Sequence, residues 1–339
     1  MHPETLRAEA PRPGTLRIAT FNADLTRDGP GLALRDIAGG SDTQVRAVLD
    51  ILIAAQADVL LLTNLDWDGD GAALAALRAG LAERGLAYAA TFAPRPNTGL
   101  RTGLDLDGDG RLNGPGDAQG WGRFAGEGGM AILSRLPLDT AAARDFSGFL
   151  WRDLPGGLLA PATVPAEALA LQRLSSTGHW DVPVTLPGGA RLHLLAFHAT
   201  PPAFDGPGDR NGRRNHDEAA FWLRLLDGAL PFPAPEGPFV LLGDANLDPA
   251  AGEGRAAALT ALLSDPRLTD PGPQGAEGTA TADWRDKGLG LRRVDYVLPA
   301  ASLAVTGSGV LWPPATYPLA PSASAASAHR LVWVDITLP

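Results

Sequence analysis

Short apolar runs of strand character recur along the whole chain, at 16–21, 58–62, 129–134, 182–186, 192–197, 239–242, 293–298 and 331–336. Helical spacing is scarcer. Val45, Val48, Leu49, Leu52 and Ile53 follow the capping-box pattern Ser41-Asp42-Thr43-Gln44, the stretch 72–84 is alanine-rich, and helical pattern returns at 215–226 and 255–263. Many strands with few helices between them predict two sheets packed together with helices outside. The continuous apolar run at 58–62 reads as a strand buried on both faces.

With 339 residues, 45% of them hydrophobic, the chain can bury a large core. The N-terminal segment 1–14 reads as flexible and 15–339 as one domain, because the polar residues singled out below extend from Asn22 to His329 and must converge. A net charge of −10 and a pI near 5.0 argue against a general basic field for nucleic acid and leave small phosphoesters open. Zero cysteines exclude disulfides and thiol catalysis. Residues 1–17 carry no apolar core segment of a signal peptide, and no apolar run approaches the length of a membrane span.

The polar residues sit at strand ends. Leu16-to-Phe21 alternation ends in Asn22, and Gly243-Asp244-Ala245-Asn246 follows a buried run directly. An aspartate in that place can take a proton from water while the asparagine steadies it, although an Asx turn uses the same residues. Asp295, within strand-forming residues, needs a partner if buried, and His329 in Ser327-Ala328-His329 is the natural one. Such a pair keeps an imidazole oriented and protonated against a phosphate oxygen, or serves as a structural hydrogen bond.

Taken in order, these pieces resemble the endonuclease/exonuclease/phosphatase superfamily of divalent-metal phosphoesterases. Asn22 matches the early asparagine, Gly129-Met130-Ala131-Ile132-Leu133-Ser134 the central strand and His198 the strand-end histidine; the 243–246, 293–296 and 327–329 motifs complete the set. A tighter resemblance, to a bacterial and often secreted branch, runs through Leu174-Ser175-Ser176-Thr177-Gly178-His179-Trp180-Asp181-Val182-Pro183, Thr200-Pro201-Pro202-Ala203-Phe204-Asp205-Gly206 and Asp209-Arg210-Asn211-Gly212-Arg213-Arg214-Asn215-His216-Asp217-Glu218. The resemblance implies an α/β fold of two packed, mainly antiparallel β-sheets flanked by helices, a four-layer sandwich. It also implies Mg2+ or Mn2+ at the site, a phosphate-ester small molecule or nucleic-acid fragment as partner, a monomer, and a periplasmic or secreted location.

Residue by residue, it implies catalytic roles for Asp244, Asn246, His198, Asp295, His329 and His179, with Asn22 and Asn64 at the metal. Two positions depart from the pattern. Asn64 stands where the family places a glutamate, and Ala328 where it places the aspartate of a Ser-Asp-His ending. Magnesium is held chiefly by one or two carboxylates and its own waters, so losing both anions weakens the site. Asp66, Asp68 and Asp70 are the nearby carboxylates that could compensate.

Two further features stand apart. Asp105, Asp107, Asp109, the carbonyl of Arg111 and Asn113 follow the calcium-loop spacing, with Gly110 at the sharp turn and Asp117 one place beyond the usual closing ligand; Ca2+ is expected in 105–117. Arg210, Asn211, Arg213 and Asn215 form a candidate phosphate-binding group ahead of a helix, or pin a loop by pairing with Asp205, Asp209, Asp217 and Glu218.

Overall fold

The computed structural model describes residues 14–160, 166–204 and 208–338; the N-terminal segment expected to be flexible, apart from Gly14, and Asp205 lie outside them. A six-stranded sheet contains β1 (Thr15–Leu25), β2 (Val59–Leu65), β3 (Ala90–Phe92), β4 (Gly129–Ser134), β12 (Val305–Val310) and β13 (Val332–Thr337), in the order β12-β13-β1-β2-β4-β3. A five-stranded sheet contains β5 (Arg144–Asp145), β6 (Gly178–Thr185), β7 (Arg191–His198), β8 (Phe239–Asp244) and β11 (Asp295–Pro299), in the order β11-β8-β7-β6-β5. The short hairpin β9 (Ala282–Trp284) and β10 (Gly290–Arg292) stands apart. Each large sheet is antiparallel except for one pair, β1 with β2 and β7 with β8. The sheets are therefore mixed, and mainly antiparallel as expected.

Period-two alternation explains the layers. In β1, β2 and β4, Leu16, Ile18, Val59, Leu61, Met130 and Ile132 join the cluster that contains the five-stranded sheet. Their neighbours Ala19, Phe21, Leu60, Leu62, Ala131 and Leu133 face the other way, onto residues of α1 (Leu32–Gly39), α2 (Thr43–Ala55), α3 (Ala72–Glu83) and α7 (Ala320–Ala326). Full burial of residues 59–62 is what a strand covered on both faces requires. Beyond the second sheet lie α5 (Arg210–Leu226) and α6 (Ala257–Leu263), while α4 (Ala166–Leu169) is a single turn.

Several sequence expectations need correction. The cap of α2 is Asp42, whose side chain accepts from the Val45 amide at 2.8 Å, and not Ser41. Gln44 instead donates to the carbonyls of Ala23, Asp24 and Ala326, tying α2 to the end of β1. Helix α5 begins at Arg210, ahead of the expected 215, so the arginines lie inside it.

Candidate active site

The ends of both sheets meet at a cleft of about 670 Å3. On the five-stranded side, strand register places the chemistry. Asp244, last in β8, is paired in register with Asp295 of β11 on one side and with His198 of β7 on the other. Both aspartates are fully buried. The Asp244 carboxylate accepts the Asn246 amide at 2.8 Å through Oδ1 and the Asn22 side-chain amide at 2.8 Å through Oδ2. His198 Nε2 lies 3.5 Å from Asp244 and 3.3 Å from Asn246 Nδ2.

On the six-stranded side, irregularity does the same work. The β1–β2 register breaks after Asn22, and Asn64 is the extra residue opposite β4, between Thr63 and Leu65. Bulges re-aim side chains next to functional sites. Asn64 donates to Asn22 Oδ1 at 3.0 Å, so the amides form a relay from Asn64 through Asn22 to Asp244. Asp24, Asn64, Asn246 and Phe204 line the cleft with left-handed backbones, a conformation that costs non-glycine residues on the order of 1–3 kcal/mol and gathers at functional sites.

His329 arrives on the turn before β13, its Nδ1 2.9 Å from Asp295 Oδ2 and its amide held by Ser327 Oγ at 3.0 Å. Burial alone would lower its pKa, but Asp295 and then Asp244 outweigh that and hold it up at about 9. Imidazolium carries a proton on each nitrogen. Nδ1–H is spent on Asp295; Nε2 sits 3.4 Å from the Asn22 amide nitrogen, itself a donor, so Nε2–H remains free for an incoming oxygen. His198 goes the other way, pushed down to about 3 by burial and then by the charge of His329, so its contact with Asp244 is not an ion pair. Burial, with the charge of Asp295 behind it, raises Asp244 well above the usual carboxylate range.

Asn22, Asn64, His198, Asn246 and His329 line the cleft, with Asp244 and Asp295 directly behind them. His179 does not join them. Its ring is buried, stacked on Trp222 at 5.2 Å, with Nδ1 2.9 Å from Ser175 Oγ and Nε2 3.0 Å from the Glu218 carbonyl, which leaves neither nitrogen for substrate. Arg210, Asn211, Arg213 and Asn215 are also absent from the lining. Arg210 donates to the Leu106 carbonyl in the acidic loop, while Asn211 donates to Ala203 and Asn215 to Thr200 and Ala245, fastening loops that border the cleft. Arg213 is partly buried on the same helix.

None of Asp66, Asp68 and Asp70 lines the cleft. Asp66 accepts the amides of Arg27 and Gly128, and Asp68 caps α3 through Ala72 and Ala73. Sequence reasoning missed Asp24, Trp121, Glu127 and Trp284 in the lining. Left-handed backbone at Asp24 and the hairpin that carries Trp284 have no local sequence signal. In the acidic loop, one oxygen each from Asp105, Asp107 and Asp109 lies within 4.8 Å of the others. Asp117 stands apart from that group: its oxygens accept the Leu106 and Gly114 amides at 2.8 and 2.7 Å.

Residues 19–329 match the model of the Endonuclease/Exonuclease/phosphatase family. The chain belongs to that family. Among solved structures, it is similar to an endonuclease/exonuclease/phosphatase from Beutenbergia cavernae, at 20% identity and a TM-score of 0.56, over 96% of this chain and 72% of that one. It is also similar to sphingomyelinase C from Streptomyces griseocarneus, at 18% identity and TM-score 0.53 over 95% and 99% of the two chains. A third likeness is to a mannosyl-6-phosphatase from Bacteroides thetaiotaomicron, at 14% identity and TM-score 0.53 over 95% and 100%. At such identities the structures show the shared fold. No curated protein matches the sequence. Membership supports phosphoesterase chemistry in general, and a buried Asp244, Asp295, His329 group is of a kind that can hold a divalent metal.

Proposed function

We propose that this chain is a metal-dependent phosphoesterase, cleaving a phosphodiester or phosphomonoester with water activated at Asp244, and that Asn64 and Ala328 leave it impaired. The observation that carries the reading is the meeting of Asn22, His198, Asp244, Asn246, Asp295 and His329, drawn from both sheets, at one cleft. The 15–339 stretch acts as one unit in this reading, since the site takes residues from Asn22 to His329.

The donor set suits a hard divalent ion such as Mg2+ or Mn2+, held weakly. Asp295 Oδ1 is buried with no hydrogen-bond partner, an orphaned acceptor that a cation would satisfy. Asn22 and Asn64 would offer neutral oxygens at the open side, where the family pattern has a carboxylate at 64. When bound, the ion supplies charge neutralisation on the phosphoryl oxygens. The protein groups do the rest. Asp244, raised by burial, takes the proton of the attacking water; Asn246 and Asn22 hold its carboxylate in place; His329, fixed by Asp295, donates Nε2–H to a phosphoryl oxygen. His198 contacts the substrate from β7 as a neutral ring.

A second reading, a family member that binds phosphate-containing ligands without turnover, is favoured by one observation. The relay from Asn64 through Asn22 to Asp244 satisfies with hydrogen bonds groups that a metal would otherwise engage. Hydrolysis of a generic phosphodiester with Mg2+ or Mn2+, by this chain and by Asn64→Glu/Ala328→Asp, decides between them. Turnover that rises with the restored carboxylates supports the impaired enzyme. Absence of turnover in both proteins leaves only the binder.

The acidic loop is proposed separately as a Ca2+ site formed by Asp105, Asp107 and Asp109, with the Arg111 carbonyl and Asn113 beside them. Asp117 would support it from behind through backbone amides.

A further inference from the structure

We propose that the cleft selects phosphoesters in which a flat aromatic group sits next to a single phosphate, held by Trp121, Phe204 and Trp284. The proposal rests on the phosphoesterase reading above and names its substrate class. Among the described residues, the large hydrophobic side chains that stand exposed are Leu112, Trp121, Phe204 and Leu289, and all but Leu112 line this cleft. Scattered single apolar residues on a surface are ordinary; their concentration around one mouth is not.

Phe204 is 94% exposed and held at φ 67°, so an aromatic ring projects into water from a backbone that disfavours it. Trp121, at 62% exposure, comes from the long glycine-rich loop before β4. Trp284 connects this rim to the chemistry: its ring packs edge-on against His329, with centroids 5.5 Å apart. A ring attached to a phosphate held at His329 thus meets indole next. A volume of about 670 Å3 suits a small ligand.

Charge narrows the occupant. Asp24, Glu127, Asp248 and Glu253 share the lining with Lys287 and Arg292, and the whole chain carries −10, so among the described residues the lining forms no basic track for a polyanion. The same carboxylates, set among the rings, oppose an anionic bilayer. A monophosphate with an aryl group satisfies both the rings and the charge balance.

Calorimetric titration of the full chain in Mn2+ with phenyl phosphate, methyl phosphate and inorganic phosphate tests this without requiring turnover. Stacking on aromatic side chains predicts that phenyl phosphate binds about tenfold or more tightly than methyl phosphate. Trp121→Ala and Phe204→Ala, both at exposed positions, should each shrink that ratio to about threefold or less while inorganic phosphate binds as before. Equal affinity for the two esters, or a ratio that survives both substitutions, overturns the proposal. Tighter binding of a single-stranded oligonucleotide or of neutral phosphatidylcholine vesicles than of phenyl phosphate overturns it as well. Failure of the wild-type chain to bind any of the three phosphates removes the phosphoesterase reading itself, and this proposal with it.

Discussion

The two sheets contribute unlike halves to one cleft. The five-stranded sheet supplies Asp244, Asp295 and His198 from adjacent strands in regular register, all buried. The six-stranded side supplies Asn22 and Asn64 at breaks in register, with Ala328 on the turn before β13. The two buried carboxylates and His198 lie on the regular half, whereas His329 comes from the six-stranded side beside Ala328, and both residues that depart from the family resemblance fall on that irregular side. The physical reason is cost. An altered Asp244 or Asp295 would strand buried partners, whereas Asn64 and Ala328 are only half-buried and border open space.

The largest effect should come from the regular half. In the Asn64→Glu/Ala328→Asp background, Asp244→Asn should lower turnover about a thousandfold, the scale expected of a positioned general base. A loss below about tenfold would move the base elsewhere and dissolve the distinction between the halves. Stopped assays on one phosphodiester at saturating metal suffice.

A smaller effect concerns how the regular half is held. Glu218 of α5 accepts the Ser176 amide and hydroxyl and the Thr200 amide, and Ser176 and Thr200 line the cleft. Burial pushes its carboxyl up to about 7 from the usual 4.5, against the pull of Arg214. A folded-state pKa above the unfolded one means the contribution is fully present below about 4.5 and is lost as pH rises through about 7. Urea unfolding of the wild type should therefore lose on the order of 2 kcal/mol more than Glu218→Gln between about pH 4.5 and about pH 8. Parallel profiles would show that the loops are fastened without this charge.

The smallest effect lies outside both halves. Removing Ca2+ with a chelator should lower Tm by about 2–4 °C, and Asp107→Asn should abolish the shift while leaving phosphate affinity unchanged. An unchanged melting curve would remove the calcium site. A change in phosphate affinity would join the loop to the cleft.

Much of this arrangement was legible before the structure. Strand-end pattern singled out Asn22 and Asp244, the family resemblance added His198, and the structure brings the three together at one edge. Helix α5 defeats that reasoning because its buried face includes Arg214, Asn215, Asp217 and Glu218. Arg214 donates to the carbonyls of Leu174, Gln119, Arg173 and Ser175, and a helix that buries polar groups onto backbone shows no apolar period at its start. His179 misled for a related reason: it lies in a stretch that resembles the family along its length, and only the partners of both ring nitrogens show that this histidine is held inside the core. The aromatic rim was hidden because exposure is set by loops distant in sequence.

The central claim is that the buried pair Asp244 and Asp295 faces a side of the cleft that lacks the two carboxylates which the family resemblance places at positions 64 and 328. Titrating Mn2+ into the wild type and into Asn64→Glu/Ala328→Asp, by calorimetry, addresses it most directly. The account predicts that the double variant binds one ion at this cleft at least about tenfold more tightly, the equivalent of about 1.4 kcal/mol, with turnover rising in step. Equal affinity in the two proteins would contradict it.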